Sequence, residues 1–228
     1  MRFDAVLFDL DGTLADTAPD MARTVNLMRE KRGQSLISVA TVRPHVSSGA
    51  RGVVCTAFGI DVDHRDYEAL RAEFLALYAD NLSFDTVLFD GMAGLLDALD
   101  RDAVPWGVVT NKAEKFARPV MHGLGLAGRC AVLVGGDTCA RAKPFPDPLL
   151  HAASVLKLKP PRTLYVGDDL RDVQAAQAAG MPVLVAGYGY LGGSDPRTWG
   201  ADGIIDSPES IGAWLALARP QATAWSGR

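Results

Sequence analysis

The chain has few cysteines, no excess of positive charge and no long apolar run. Cys55, Cys130 and Cys139 are an odd set with no C-x-x-C spacing, which argues against a disulfide framework. None of them sits beside a motif carrying a base, so they read as free thiols, expected in a reducing cytoplasm. Lys and Arg number 23 against 27 Asp and Glu, a net charge of −4. A nucleic-acid groove needs a positive field, so a nucleic-acid partner is not expected. Nowhere do about 18 apolar residues run together, so no membrane span is expected. The first residues enter a strand-like pattern at once, without the apolar stretch and cleavage site of a secretory signal.

What the chain does have is apolar content, 48% over 228 residues, enough for a large core. Short, mostly apolar runs recur between turn residues: FDAVLFD (3–9), PWGVVTN (105–111), CAVLVGG (130–136), TLYVGDD (163–169), PVLVAGY (182–188) and DGIID (202–206). Such runs suit buried parallel strands. Helical patterns lie between them. Leu95, Leu96 and Leu99 share a face, as do Leu149, Ala153 and Leu156, and a helix over 170–179 stops at Gly180, a natural C-cap. Ser207-Pro208-Glu209 opens a last helix. This alternation predicts an α/β fold with a doubly wound parallel sheet.

Residues 18–84 interrupt the alternation. Pro19 opens a helix carrying Met21, Val25 and Met28 on one face, and Gly33 ends it. Tyr67, Leu70, Phe74, Leu77 and Tyr78 mark a second amphipathic helix. The pattern predicts a helical insert of roughly 65 residues, near the lower limit for a unit that folds alone. The expected division is a core over 1–16 and 86–219, a helical cap over 17–85 and a loose tail over 220–228.

The chemistry collects at the ends of the predicted strands, where open α/β sheets bind ligands. Asp9 ends the first strand. Asp11 projects from the same side while the chain stays extended, and Gly12 lets the backbone turn away. A plain capped loop gives the same pattern, so the other strand ends decide. The second ends in Thr110-Asn111, two donors for an anionic oxygen. Lys143-Pro144 follows the third. A later strand ends in Gly167-Asp168-Asp169, with Asp172 three further on, and clustered carboxylates of this kind suit a hard divalent cation such as Mg²⁺. Together these groups suit phosphoryl transfer. Asp9 attacks phosphorus, Asp11 protonates the leaving oxygen and then activates water, and Thr110, Asn111 and Lys143 hold the phosphate. Two matches to G-x-G-x-x-G, at Gly123–Gly128 and Gly187–Gly192, lack the strand before or the helix after that a dinucleotide site needs.

The ordered set DLDGT (9–13), TN (110–111), KP (143–144) and GDDLRD (167–172) resembles the haloacid dehalogenase superfamily. The resemblance implies a Rossmann-like core with a helical cap inserted after the first motif. It also implies Asp9 as nucleophile, Asp11 as acid/base and Asp168 as the side-chain metal ligand. Asp9 and Asp11 also touch the metal, Asp11 through its backbone carbonyl. Asp169 and Asp172 are implied as metal supports. Asp11 favours a phosphatase over a dehalogenase, because a departing halide needs no proton. VTNK, KPFPDPLL and YVGDDLRDVQAAQAAG resemble phosphoglycolate phosphatases. VSSGARGVVCTAFG and YGY…WGAD resemble N-acetylmuramic acid 6-phosphate phosphatases. Both resemblances imply a small phosphorylated metabolite bearing a carboxylate. For its recognition the candidates are Ser47, Ser48 and Gly49, with Arg51 as a bidentate carboxylate ligand. An ordinary helix start, with Ser48 as cap and Arg51 in solvent, is the competing reading of that stretch. A phospho-Asp receiver domain and a phosphomutase are the other functions these acids allow.

Overall fold

A computed structural model describes residues 3–217. The tail expected over 220–228 lies outside the described residues. The described residues form eight strands in chain order: β1 (Ala5–Phe8), β2 (Ala15–Asp16), β3 (Val87–Leu88), β4 (Trp106–Val109), β5 (Leu133–Val134), β6 (Thr163–Gly167), β7 (Val183–Ala186) and β8 (Gly203–Ile205). Six of them make one parallel sheet in the order β5-β4-β1-β6-β7-β8. Among the described residues nine α-helices accompany them: α1 (Ala18–Glu30), α2 (Val39–Val42), α3 (Gly49–Phe58), α4 (Tyr67–Asp80), α5 (Met92–Arg101), α6 (Glu114–Gly123), α7 (Asp147–Val155), α8 (Leu170–Ala179) and α9 (Ser210–Leu217).

The period of two within each strand feeds two cores. Val6 and Phe8 of β1 pack with Leu96 and Met121 of α5 and α6. Leu7, between them, faces the other way, toward Leu149 and Val173 of α7 and α8. Both faces are thus covered by helices, which is why the strands read as near-continuous apolar runs. Gly180 ends α8 in the left-handed conformation, φ 71° and ψ 28°, as its position predicts.

Helices α1 to α4 form a third apolar cluster around Met21, Val25, Met28, Val53, Phe74 and Tyr78. The chain enters and leaves this layer through β2 and β3, a two-residue antiparallel ribbon. Asp20, fully buried in the first turn of α1, fastens the ribbon's far side. It accepts hydrogen bonds from Asp85 N at 2.9 Å, Thr86 N at 3.1 Å and the Thr86 hydroxyl at 2.6 Å.

The strand order reverses at β1. The chain moves outward through β4 and β5, then returns to the other flank at β6. Ligand sites of open sheets fall at such a reversal, beyond the carboxyl ends of the strands.

Candidate active site

β1, β4 and β6 are adjacent and parallel, so Asp9, Thr110 and Asp168 emerge side by side, each one residue past its strand. Oxygens of Asp9, Asp168 and Asp172 lie within 4.8 Å of one another, and all three residues are buried. Thr13 donates its hydroxyl to Asp168 Oδ1 at 2.9 Å, and Tyr190 N donates to Oδ2 at 2.8 Å. The chain at Gly12 runs hard against this carboxylate. A Cβ there would stand 2.1 Å from Asp168 Oδ2, and φ is +88°, so the position demands glycine.

Lys143 brings a positive charge into direct contact with this cluster. Its ammonium lies 2.9 Å from Asp9 Oδ1 and 2.6 Å from Asp172 Oδ1. It also donates to Val109 O and the Tyr165 hydroxyl, both at 2.9 Å. Burial raises the Asp9 carboxyl, Asp172 and Asp11 add to the rise and Lys143 opposes it, which leaves it pushed up to about 6. Burial, then Asp9 and Asp172, push Asp168 well above the carboxylate range.

Asp11 is served separately. Lys112 Nζ stands 2.9 Å from Asp11 Oδ1, and the Thr17 hydroxyl donates to the same oxygen at 2.5 Å. Lys112 also donates to the Tyr78 hydroxyl of α4 at 2.9 Å. Burial works against the Lys112 ammonium, but Asp11 and Tyr78 outweigh it and hold it above the ordinary lysine range. The sequence pattern assigns Lys112 no role, although it directly follows Thr110 and Asn111. A lysine in a loop gives no signal of its own, and its partner Tyr78 stands on a distant helix.

The charges around the cluster do not cancel. Lys112 is matched to Asp11 and Arg171 to Asp169. Among the described residues, Lys143 alone lies within ion-pair distance of Asp9 and Asp172, and Asp168 has no cationic partner. Apart from the Lys143 ion pair, Asp9 Oδ1 has no partner among the described residues. Hard oxygen donors with surplus negative charge fit a divalent cation.

The remaining expected residues divide. Thr110, 2% exposed, stands at the cluster's edge. Asn111, expected at the phosphate, lines the cavity and ties its amide to the Lys143 backbone. The amide donates to Lys143 O at 2.9 Å and accepts from Lys143 N at 3.0 Å, so it positions the lysine. Asp169 is the N-cap of α8 and pairs with Arg171, whereas Asp172 stands with Asp9 and Asp168.

A cavity of about 500 Å³ opens between these strand ends and the helical layer. Ser47, Ser48 and Gly49 line it, as does Ala50, but Arg51 does not. Arg51 is exposed, a correction to its expected role. Gly49 opens α3, and each helical residue turns about 100° from the last, so Ala50 facing the cavity turns Arg51 out to solvent. Ser48 precedes α3 without capping it through its side chain. Two other arginines do line the cavity, Arg71 of α4 and Arg171, and Arg171 donates to Ser47 O at 2.6 Å.

Comparison with known proteins agrees with this arrangement. Residues 3–180 match the family model described as haloacid dehalogenase-like hydrolase, and the chain belongs to that family. It is an enzyme, a phosphoric monoester hydrolase by family and by its relatives. Over 97% of its length it is 48% identical to the whole of a phosphoglycolate phosphatase from Xanthomonas campestris pv. campestris. Over 92% it is 45% identical to 94% of an N-acetylmuramic acid 6-phosphate phosphatase from Pseudomonas aeruginosa. The crystal structure of a predicted phosphoglycolate phosphatase from Haemophilus somnus 129PT superimposes with a TM-score of 0.82, at 26% identity, over 96% of this chain and 99% of that one. Family membership removes the receiver reading.

Proposed function

We propose that the enzyme hydrolyses a small, carboxylate-bearing phosphate monoester through an aspartyl phosphate on Asp9, with Mg²⁺. Asp9 attacks phosphorus from the end of β1. Lys143, held by Asn111, and the Thr110 hydroxyl stabilise the phosphoryl oxygens. Asp11, oriented by Thr17 and Lys112, gives a proton to the leaving alkoxide and takes one from the water that releases phosphate. Asp9, Asp168 and the Asp11 carbonyl would hold Mg²⁺, with Asp172 in support. Once bound, the ion offsets the repulsion between the substrate's charge and the Asp9 carboxylate. The helices of residues 17–85 serve as a cap over the site. With three free cysteines among the described residues and no helix there long and apolar enough to cross a membrane, a cytoplasmic enzyme is the reading we adopt.

The observation that carries this reading is the meeting of Asp9, Asp168, Asp172 and Lys143 at the strand reversal. Between the two substrates named for its relatives, phosphoglycolate is the direct reading from the core motifs. The cavity favours the larger one. About 500 Å³ lies within the range that encloses drug-sized ligands, so it has room for a phosphorylated amino sugar where a two-carbon acid would leave most of it to water.

One assay tests both levels. Wild type and Asp9→Asn are compared with Mg²⁺ on phosphoglycolate, N-acetylmuramic acid 6-phosphate and p-nitrophenyl phosphate. The wild type is expected to turn over the sugar phosphate with the higher kcat/KM. Asp9→Asn should be inactive on all three. More than a few per cent of residual rate in that variant rules out Asp9 as nucleophile, and a preference for phosphoglycolate rules out the sugar-phosphate reading.

A further inference from the structure

The N-terminus of α1 is capped from outside its own segment. Thr17, its N-cap residue, makes no side-chain capping bond, because its hydroxyl is directed at Asp11 Oδ1. Pro at the second helical position removes one donor. The first backbone donors, Thr17 N and Ala18 N, instead reach the phenol oxygen of Tyr190 at 2.8 and 3.1 Å. Both residues are fully buried, so water cannot serve these groups in its place. The phenol in turn donates to Asp16 Oδ1 at 2.9 Å.

Tyr190 has a second hold on the site. Its backbone N–H donates to Asp168 Oδ2. Its ring is fixed from several sides. A Cβ on Gly12 would lie 2.7 Å from Tyr190 Cδ2, Phe89 stands 6.4 Å away edge-on, and the Arg43 guanidinium sits 5.7 Å from the ring centroid while pairing with Asp16 at 2.8 Å. Gly189 permits the approach, since a Cβ there would stand 2.4 Å from both Asp168 Cβ and Gly12 O. One rigid residue therefore touches the carboxylate cluster through its main chain and the entry to the helical layer through its side chain.

We infer that Tyr190 is a positioning residue for the acid/base step: its phenol pins the Thr17 backbone so that the Thr17 hydroxyl orients Asp11 relative to Asp168. The inference rests on the reading of Asp11 as the group that protonates the leaving oxygen. Without the phenol, Thr17 N loses its acceptor, Ala18 N keeps only Asp16 Oδ1 at 3.3 Å, and the Thr17 hydroxyl is no longer held in register with Asp11. The loss falls on substrates whose leaving group needs a proton. An alkyl phosphate needs one, whereas p-nitrophenyl phosphate releases a stable phenolate without help.

The readout is the ratio of kcat on N-acetylmuramic acid 6-phosphate, an alkyl phosphate, to kcat on p-nitrophenyl phosphate, measured for the full chain with Mg²⁺. Tyr190→Phe keeps the ring, the backbone donor to Asp168 and the packing. It should lower the ratio about tenfold, the scale of one lost hydrogen bond. Thr17→Val should lower it to the same extent, and Thr17→Ser, which keeps the hydroxyl, should restore it. The double variant Tyr190→Phe/Thr17→Val should be no lower than Thr17→Val alone, because both changes cut one chain of contacts. Equal loss on both substrates, or additive losses in the double variant, makes Tyr190 merely structural and overturns the inference. Asp11→Asn separates this from the reading beneath it. If Asp11→Asn lowers both rates equally, the acid assignment falls and the inference with it. If Asp11→Asn is selective and Tyr190→Phe is not, the inference alone falls.

Discussion

Lys112 enters the site from the loop after β4 and joins two layers with one ammonium, 2.9 Å from Asp11 and 2.9 Å from the Tyr78 hydroxyl on α4. Its side chain is 5% exposed, so the charge is held by partners and not by water. Lys112→Met would keep the volume of the stem and leave the Asp11 oxygen with Thr17 alone. The expected result is a fall in kcat/KM of at least about tenfold, the scale of a hydrogen bond to a charged group, with far-UV circular dichroism unchanged. A Lys112→Met enzyme within twofold of wild type would show that Thr17 alone suffices to place Asp11. At this scale the sequence is readable where a residue's role follows from its position on a strand. Asp9, Thr110 and Asp168 each stand one residue beyond an apolar run, and the structure sets them together. It is unreadable where the role follows from a distant partner. Nothing near Asn111 announces that its amide will hold the Lys143 backbone, and nothing near Arg171 announces Ser47.

The elements tell a similar story with a different cause. All six strands of the parallel sheet coincide with the short apolar runs, because the central strands are buried on both faces and their residues must be mostly apolar. The β2–β3 ribbon has two residues on each side, too few for any period to show. The stretch leading into α3 was the hardest to read. Residues 43–48 form a 3₁₀ turn, and Gly49 follows at φ 62° and ψ −154°, a region that only glycine enters freely. That turn aims the Ser47 and Ser48 backbone at the cavity and throws Arg51 outward, which no helical projection from a guessed start could give. Gly49→Ala has open space around its new methyl, so its penalty is backbone strain alone, about 1–3 kcal/mol. If the turn presents these residues to substrate, Gly49→Ala raises KM by more than it lowers kcat. A drop in thermal stability with an unchanged KM would mean the turn is only a connector.

Across the whole molecule, the helical layer is tied to the sheet at a few places. The ribbon and the Asp20 clamp secure its base, and Lys112–Tyr78 and Arg171–Ser47 span the cavity. The sheet side of that cavity concentrates negative charge around one lysine, and metal-free protein bears that repulsion as lost stability. A divalent ligand that binds only the folded state adds about 2.7 kcal/mol at a hundred times its Kd, and for a chain of this size each kcal/mol moves Tm by about 2–4 °C. Mg²⁺ should therefore raise the Tm of the EDTA-treated wild type by about 5–10 °C. Asp168→Asn separates charge from shape. The asparagine oxygen can still accept from Tyr190 N, and its amide can face the Thr13 hydroxyl, which turns to accept instead of donate. The variant removes one of three crowded carboxylates, so its Tm in EDTA should equal or exceed that of the wild type, while the Mg²⁺ increment should shrink to about 2 °C or less. A Tm in EDTA below that of the wild type would show that the Asp168 charge is needed for the fold itself. A full Mg²⁺ increment in the variant would place the ion elsewhere, because a cation held by this cluster cannot be indifferent to the loss of the one acid in it that no lysine or arginine serves.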